Sequence, residues 1–308
     1  MTDLVDIHQH LWPESLLALL AEREQAPRIA RAGGAWTLQL RGEPDARVDL
    51  RDHDPVRRAA LAVADGLDRA LIAPSLPLGI ETLPASEAEP LLAAYHDGAA
   101  DLPAPFGAWA SVGLDRPDTT ELSSLLDRGF VGACVAAGAL ASPAGYDHLG
   151  AVLELLERRG APLLIHPGPA APIGDGAPSP PWWPAVTDYV AAMQRAWYAF
   201  AAWGRPAHRK LRVCFAMLAG LAPLHRERLV ARGGTASFDP DVFLDVSSYG
   251  ERAVDMVIRE IGIDQLVLGS DRPVIAAREL ALGDAIDAAL RRSNPARLLD
   301  RSDARVFA

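Results

Sequence analysis

The strongest constraint on this chain is the recurrence of eight short apolar runs, at 4–10, 69–74, 105–112, 130–138, 162–168, 211–217, 242–248 and 266–273. Their near-continuous hydrophobicity suits parallel strands covered on both faces. Helix-like segments lie between and after them, roughly at 14–24, 55–66, 87–100, 118–128, 147–160, 223–232, 252–262 and 278–291. Asp54-Pro55 sets a cap before a proline at the first helical position, and Gly66, Gly129 and Gly160 stand where helices end. Eight strands alternating with helices predict a closed (β/α)8 TIM barrel or a long doubly wound sheet. No GxGxxG follows the first run, so a dinucleotide-binding sheet loses its support. The polar residues favour the barrel, because His8, His10, His166, Ser247, Ser248 and Asp271 all fall at C-terminal strand ends.

A length of 308 residues suits one barrel domain spanning 1–308 with two insertions, near 25–54 and 169–204. The first reads as a small hairpin, from the alternation around Trp36–Leu40 and Ala46–Leu50. The second begins Pro- and Gly-rich, passes Pro181-Trp182-Trp183-Pro184 and turns helical near Thr187–Trp203. Both follow strands that carry polar ends, so both are expected over the C-terminal mouth. A net charge of -10 argues against broad nucleic-acid binding. No run approaches the roughly 20 apolar residues of a membrane helix, and no signal-like start is seen, so a cytoplasmic location is expected. Cys134 and Cys214 sit inside apolar runs and read as buried thiols.

His8 and His10 are two apart on a strand, so their imidazoles share one face. Asp6 is expected on that face one step lower, as a support for a ligand or a buried paired acid. His166 and Asp271 each end another apolar run. Imidazoles and a carboxylate around an open position form the ligand set of a hydrolytic metal.

The pieces Val5-Asp6-Ile7-His8-Gln9-His10, Arg58–Ala70, Leu164-Ile165-His166-Pro167-Gly168, Leu268-Gly269-Ser270-Asp271-Arg272-Pro273 and Asn294–Leu299 resemble the amidohydrolase superfamily. The similarity is to its amidohydrolase-related branch, which contains aminocarboxymuconate-semialdehyde decarboxylase and lactone hydrolases. It covers nearly the whole chain in order. It implies one divalent ion, zinc in most members with manganese the alternative, held by His8, His10, His166 and Asp271. It implies a small-molecule substrate and a homodimer.

The chain departs from that pattern at one place. Where such proteins carry a histidine after the sixth strand, to orient or deprotonate water at the metal, this chain has Met217. Methionine takes no proton. Asp271 then carries the proton transfer, or His225 reaches in from the next helix, or hydrolysis is lost. The expected activity is metal-dependent hydrolysis of a small carboxylated or cyclic ester or amide. The alternative is non-oxidative decarboxylation of an aromatic or enoic acid, and a third reading is a metal-binding barrel without turnover. Lys210, the only lysine, lies at the wrong end of the sixth strand for a lysine-bridged metal pair or for Schiff-base chemistry.

Trp182, Trp183, Met217 and Ser248 are the candidate substrate contacts, the tryptophans as apolar walls and Ser248 as a hydrogen-bonding group. Trp197 and Phe200 recur at helical spacing and read as packing. His53, His96 and His148 read as surface or capping residues, and His208 as part of the opposite, stabilising face.

Overall fold

The structure is a computed structural model that describes residues 3–171, 179–237, 239–276 and 280–300. Twelve strands are numbered in chain order: β1 Val5–Gln9, β2 Arg28–Ala32, β3 Ala35–Gln39, β4 Ala46–Val48, β5 Arg69–Ile72, β6 Phe106–Ala108, β7 Ala110–Ser111, β8 Ala133–Ala136, β9 Leu163–His166, β10 Val213–Phe215, β11 Val242–Asp245 and β12 Leu266–Val267. β1-β5-β6 form one parallel ribbon, and β7 to β12 pair in sequence as another. β6 and β7 are one strand interrupted at Trp109. Backbone bonds from Ile7 N to Leu268 O (2.9 Å) and Asp271 N to His8 O (3.0 Å) join the last strand to the first. The result is a closed (β/α)8 barrel, as the alternation of apolar runs implied.

The core has two layers, as period-two alternation requires. Ile7, Leu71, Trp109, Cys134, Leu164, Cys214, Phe243 and Val267 fill the barrel. Ile72, Val135, Ile165, Phe215, Leu244 and Leu266 face outward and meet the helices. Both cysteines are free and buried. Helices Pro55–Ala64, Ala85–Ala100, Thr119–Asp127, Pro143–Arg158 and Glu251–Ile261 follow their strands. The cap before Pro55 is Asp54, whose carboxylate accepts from Val56 N and Arg57 N. Of the last expected helix, Arg278 and Glu279 lie outside the described residues; the helix runs Asp284–Ala288 and widens to a π turn at Ala289–Ser293. Among the described residues no helix is long and apolar enough to cross a membrane.

The first insertion is larger than a hairpin. β2, β3 and β4 form a three-stranded antiparallel sheet. Gly33 and Gly34, with φ of 58° and 81°, make the two-residue turn between β2 and β3. Positive φ at both positions is what such a turn demands, and a Gly-Gly pair is its sequence signal. The second insertion carries the helices Trp183–Val186 and Asp188–Ala199, then a π turn at Phe200–Gly204.

β1 holds a bulge that redirects its side chains. Asp6 pairs with Ala70 but Gln9 pairs with Ile72, so β1 spends one residue more than β5 over this span. Ile7 therefore fills the barrel, and His8 and His10 also turn inward. Asp6 falls outside, between Gln9 and Ser270, which corrects the expectation that it shares the histidine face. The Ile7 carbonyl takes the Trp109 indole N–H at 2.8 Å, across the barrel interior.

Candidate metal centre

Four donors meet at the C-terminal mouth. One atom from each of His8, His10, His166 and Asp271 lies within 4.8 Å of the other three. His8 Nε2 is 3.2 Å from His10 Nε2. Asp271 Oδ1 is 3.2 Å from His10 Nε2 and 3.9 Å from His8 Nε2. Four donors bound about 2.1 Å from one tetrahedral ion sit roughly 3.4 Å apart, so this spacing suits a single ion. The rings meet edge to face, with centroids 4.9–5.1 Å apart.

The outer nitrogens fix which atoms face inward. His8 Nδ1 lies 2.7 Å from Asp245 Oδ2, His10 Nδ1 lies 3.0 Å from Ala73 O, and His166 Nδ1 lies 2.8 Å from Pro167 O. Each acceptor calls for Nδ1–H, which leaves the His8 and His10 Nε2 lone pairs inside and His166 Nε2 as its free nitrogen. The residues present therefore fit a divalent ion.

Asp245, at the end of β11, was not singled out by the sequence reading. It is fully buried. Oδ2 faces His8, and Oδ1 accepts from Met217 N, Ser247 N and the Ser247 hydroxyl. Burial opposes its charge, but His8 and these donors win, and the carboxyl is held below its ordinary range. Burial likewise opposes charge on His8, yet the Asp245 carboxylate holds the imidazole up to about 9. His166 lies well below its ordinary value, through burial and then its two histidine neighbours. The one sequence signal for Asp245 is an acid inside the apolar run Val242–Val246.

Asp6 braces the backbone from outside. Its carboxylate accepts from His8 N, Ser270 N and Gln9 Nε2, at 2.9–3.1 Å. Buried Arg58 donates to Gln9 Oε1, His10 O and Arg272 O, tying the ends of the first and last strands together. Another buried carboxyl, Glu81, follows the second barrel strand. Its Oε1 has no hydrogen-bond partner among the described residues, and burial pushes the acid up to about 8.

The remaining candidates separate. Met217 is buried and opens a left-handed run, with φ of 54°, 48°, 52°, 61° and 63° from Met217 to Leu221. Its role at the centre is through its backbone amide on Asp245. His225 is exposed, and its ring faces the Gln194 side chain at 3.5 Å, so the structure does not bring it among the donors. Ser248 has a φ of 68° and lines a small pocket with Tyr249, Asp6 and Ser270. Ser247 is committed to Asp245. Trp182 and Trp183 stay 56% and 38% exposed, on the surface of the second insertion. Arg272 pairs with Asp65 at 2.7 Å.

Three histidines differ from expectation or confirm it in detail. His53 is buried rather than superficial, stacks on Trp12 at 4.3 Å and accepts from Trp12 N. His96 is buried too and accepts from Ser111 N. A short apolar helix face left no signal that these rings would be inside. His148 is held at Leu114 O, 2.7 Å away, in an exposed setting.

No family model and no curated protein matches the chain. Solved structures do. It is similar to IDCase of Metarhizium anisopliae, at 18% identity and a TM-score of 0.77 over 96% of this chain and 97% of that one. It is similar to 2,6-dihydroxybenzoate decarboxylase from Rhizobium, at 18% and 0.68 over 97% and 99%. It is similar to 5-carboxyvanillate decarboxylase from Novosphingobium aromaticivorans complexed with manganese, at 15% and 0.72 over 97% and 96%. At such identities the likeness is one of architecture: the chain has the amidohydrolase-type (β/α)8 barrel fold seen in these structures.

Proposed function

We propose that the chain is a metal-dependent enzyme that removes CO2, without oxidation, from a small aromatic or enoic acid. The observation that carries this reading is the state of the proton-handling groups around the donor cluster. The His8, His10 and His166 Nδ1 atoms are each held by an acceptor. Asp245 is spent on His8, Met217 N and Ser247. Met217 contributes no titrating side chain. Asp271 is left as the carboxyl that can hold or move a proton at the centre, with Oδ1 toward the imidazoles and Oδ2 as its second oxygen.

Those parts suit decarboxylation. The reaction breaks one C–C bond, leaves its electron pair on the substrate carbon and replaces CO2 there with a proton. A bound zinc or manganese ion would supply positive charge to neutralise and orient the substrate's acidic oxygens. The four donors His8, His10, His166 and Asp271 would hold it. Asp271 would take up a proton from solvent on Oδ2 and pass it to that carbon, with Asp245 keeping His8 in the tautomer that points Nε2 inward. Several solved structures of like fold carry the name decarboxylase, and three of them hold manganese together with a small aromatic molecule, which supports the same reading.

Hydrolysis, the first expectation from sequence, remains the second reading because a solved amidohydrolase II also shares the fold, with a TM-score of 0.74. One experiment separates the two. Manganese- or zinc-loaded protein is incubated without O2 with hydroxybenzoates and enoic acids, and in parallel with lactones, esters and amides. CO2 release from the first set, abolished in Asp271→Asn, is expected. Turnover confined to the second set would overturn the proposal.

A further inference from the structure

The four donors are almost closed off from solvent: His8, His10, His166 and Asp271 are 0%, 2%, 5% and 8% exposed, in that order. An ion can reach them only past the residues above the barrel mouth. Two insertions meet there, and among the described residues hydrogen bonds and ion pairs join them at a single side chain, Glu43.

Glu43 is set in place by its own turn. Gly42, with a φ of 83°, reverses the chain between β3 and β4, and Pro44 biases Glu43 toward extended backbone. Gln39 Nε2 on Asp45 Oδ2, at 2.8 Å, closes the turn. Facing it is Tyr189, in the first turn of the helix Asp188–Ala199. The Tyr189 hydroxyl donates to Glu43 Oε1 at 2.5 Å, the length of a hydroxyl on a carboxylate. Burial first, then the carboxylates of Glu43, Asp271 and Asp188, hold this phenol above its ordinary range, so it keeps the hydrogen it donates. The Ala170 backbone N–H faces the Glu43 carboxyl as well.

The pair stands between two of the donors. Ala170 follows His166 by four residues, at most about 14 Å along the chain. Asp271 is near enough to act on the Tyr189 hydroxyl. Later turns of the same helix are fixed to the barrel, with Gln194 Nε2 on Gly220 O at 2.8 Å and the Tyr198 hydroxyl on Ala222 O at 3.0 Å. Breaking the Tyr189 bond therefore loosens one insertion from the other and leaves the helix seated.

We propose that Glu43 and Tyr189 form a clasp that gates passage to the metal centre. While the hydroxyl stays on the carboxylate, the insertions stay together above the donors, and an ion passes when that bond opens. The bond touches no donor atom, so it acts on the rates of entry and exit and leaves the affinity alone. The proposal rests on the metal reading of the four donors and is independent of the reaction.

The test uses full-length protein loaded with zinc and mixed with excess pyridylazoresorcinol, whose colour reports the released ion. Tyr189→Phe should speed release by about tenfold, the loss of one hydrogen bond to a charged group. Uptake of zinc should speed by the same factor, so Kd should move by less than about twofold. Glu43→Gln keeps an acceptor for the hydroxyl and should release within about threefold of the unaltered protein. Glu43→Ala should release at least as fast as Tyr189→Phe, and the double variant no faster than Glu43→Ala, because both changes remove one bond. Unaltered protein that takes up no zinc would remove the metal reading and the clasp with it. Normal uptake with release unchanged in Tyr189→Phe would overturn the clasp alone. So would faster release with unchanged uptake, which is a weakened donor set, or multiplied effects in the double variant.

Discussion

His8 and Asp245 form the pair on which the centre turns. In the metal-free protein, protonated His8, held up to about 9, contributes stability that is complete below its ordinary 6.5 and is lost as pH rises through 9. Asp245, held below its ordinary 3.8, contributes above that value and loses its contribution as pH falls. A metal needs the neutral imidazole, so proton and ion compete for His8. Apparent manganese affinity should therefore rise by up to about tenfold per pH unit between 7 and 9, read by chelator competition. Asp245→Asn should flatten that slope and weaken affinity by about 10–100-fold. A slope unchanged in the variant would sink the argument. Met217 offers a second residue-scale test. Met217→His restores a titrating ring after the sixth barrel strand, and ester or lactone turnover should rise by roughly 10²-fold or more, measured on the metal-loaded variant.

Two short elements place these residues, and they were unequally legible. His8 and His10 were readable because period two holds from one to the other. Asp6 was misplaced because the bulge lies just before them, and a bulge is a property of pairing with β5 that no single strand reveals. The Gly33-Gly34 turn was readable and missed. Asp245 was unreadable in role, since its partner His8 lies 237 residues away. Met217 stands out in the sequence as a departure from the resembled pattern, but the left-handed path from Met217 to Leu221 was not foreseen, because four of its five residues are not glycine. Left-handed φ costs an L-residue about 1–2 kcal/mol. The path persists because Met217 N is held by Asp245, Gln194 holds Gly220 O and Tyr198 holds Ala222 O. At Gly220 a Cβ would meet Val190 O at 2.6 Å as well as a φ of 61°. Gly220→Ala should lose about 2–4 kcal/mol in urea denaturation. Gly138→Ala, with nothing within 4 Å and no positive φ, should lose less than about 1 kcal/mol.

At the scale of the whole molecule, the donors sit where the barrel closes. His8 and His10 come from the first strand and Asp271 from the last, and the joint between those strands is otherwise made by a few backbone bonds, by Asp6 on Ser270 N and by Arg58. Above it the two insertions are fastened together, with the Tyr189 hydroxyl on Glu43. An ion on the four donors would therefore cross-link the seam of the barrel as well as serve the chemistry. A ligand that binds only the folded state stabilises it by RT ln(1 + [L]/Kd), about 2.7 kcal/mol at a hundredfold excess over Kd. Chelation should then lower the melting temperature by several degrees, and manganese should restore it. Amide exchange should report where the loss falls. Protection should drop first at Ile7, His10 and Asp271, whose N–H groups bridge the seam, and last in β8 to β10 on the far side. A uniform loss of protection across all strands would show that the ion, wherever it binds, does not close this seam.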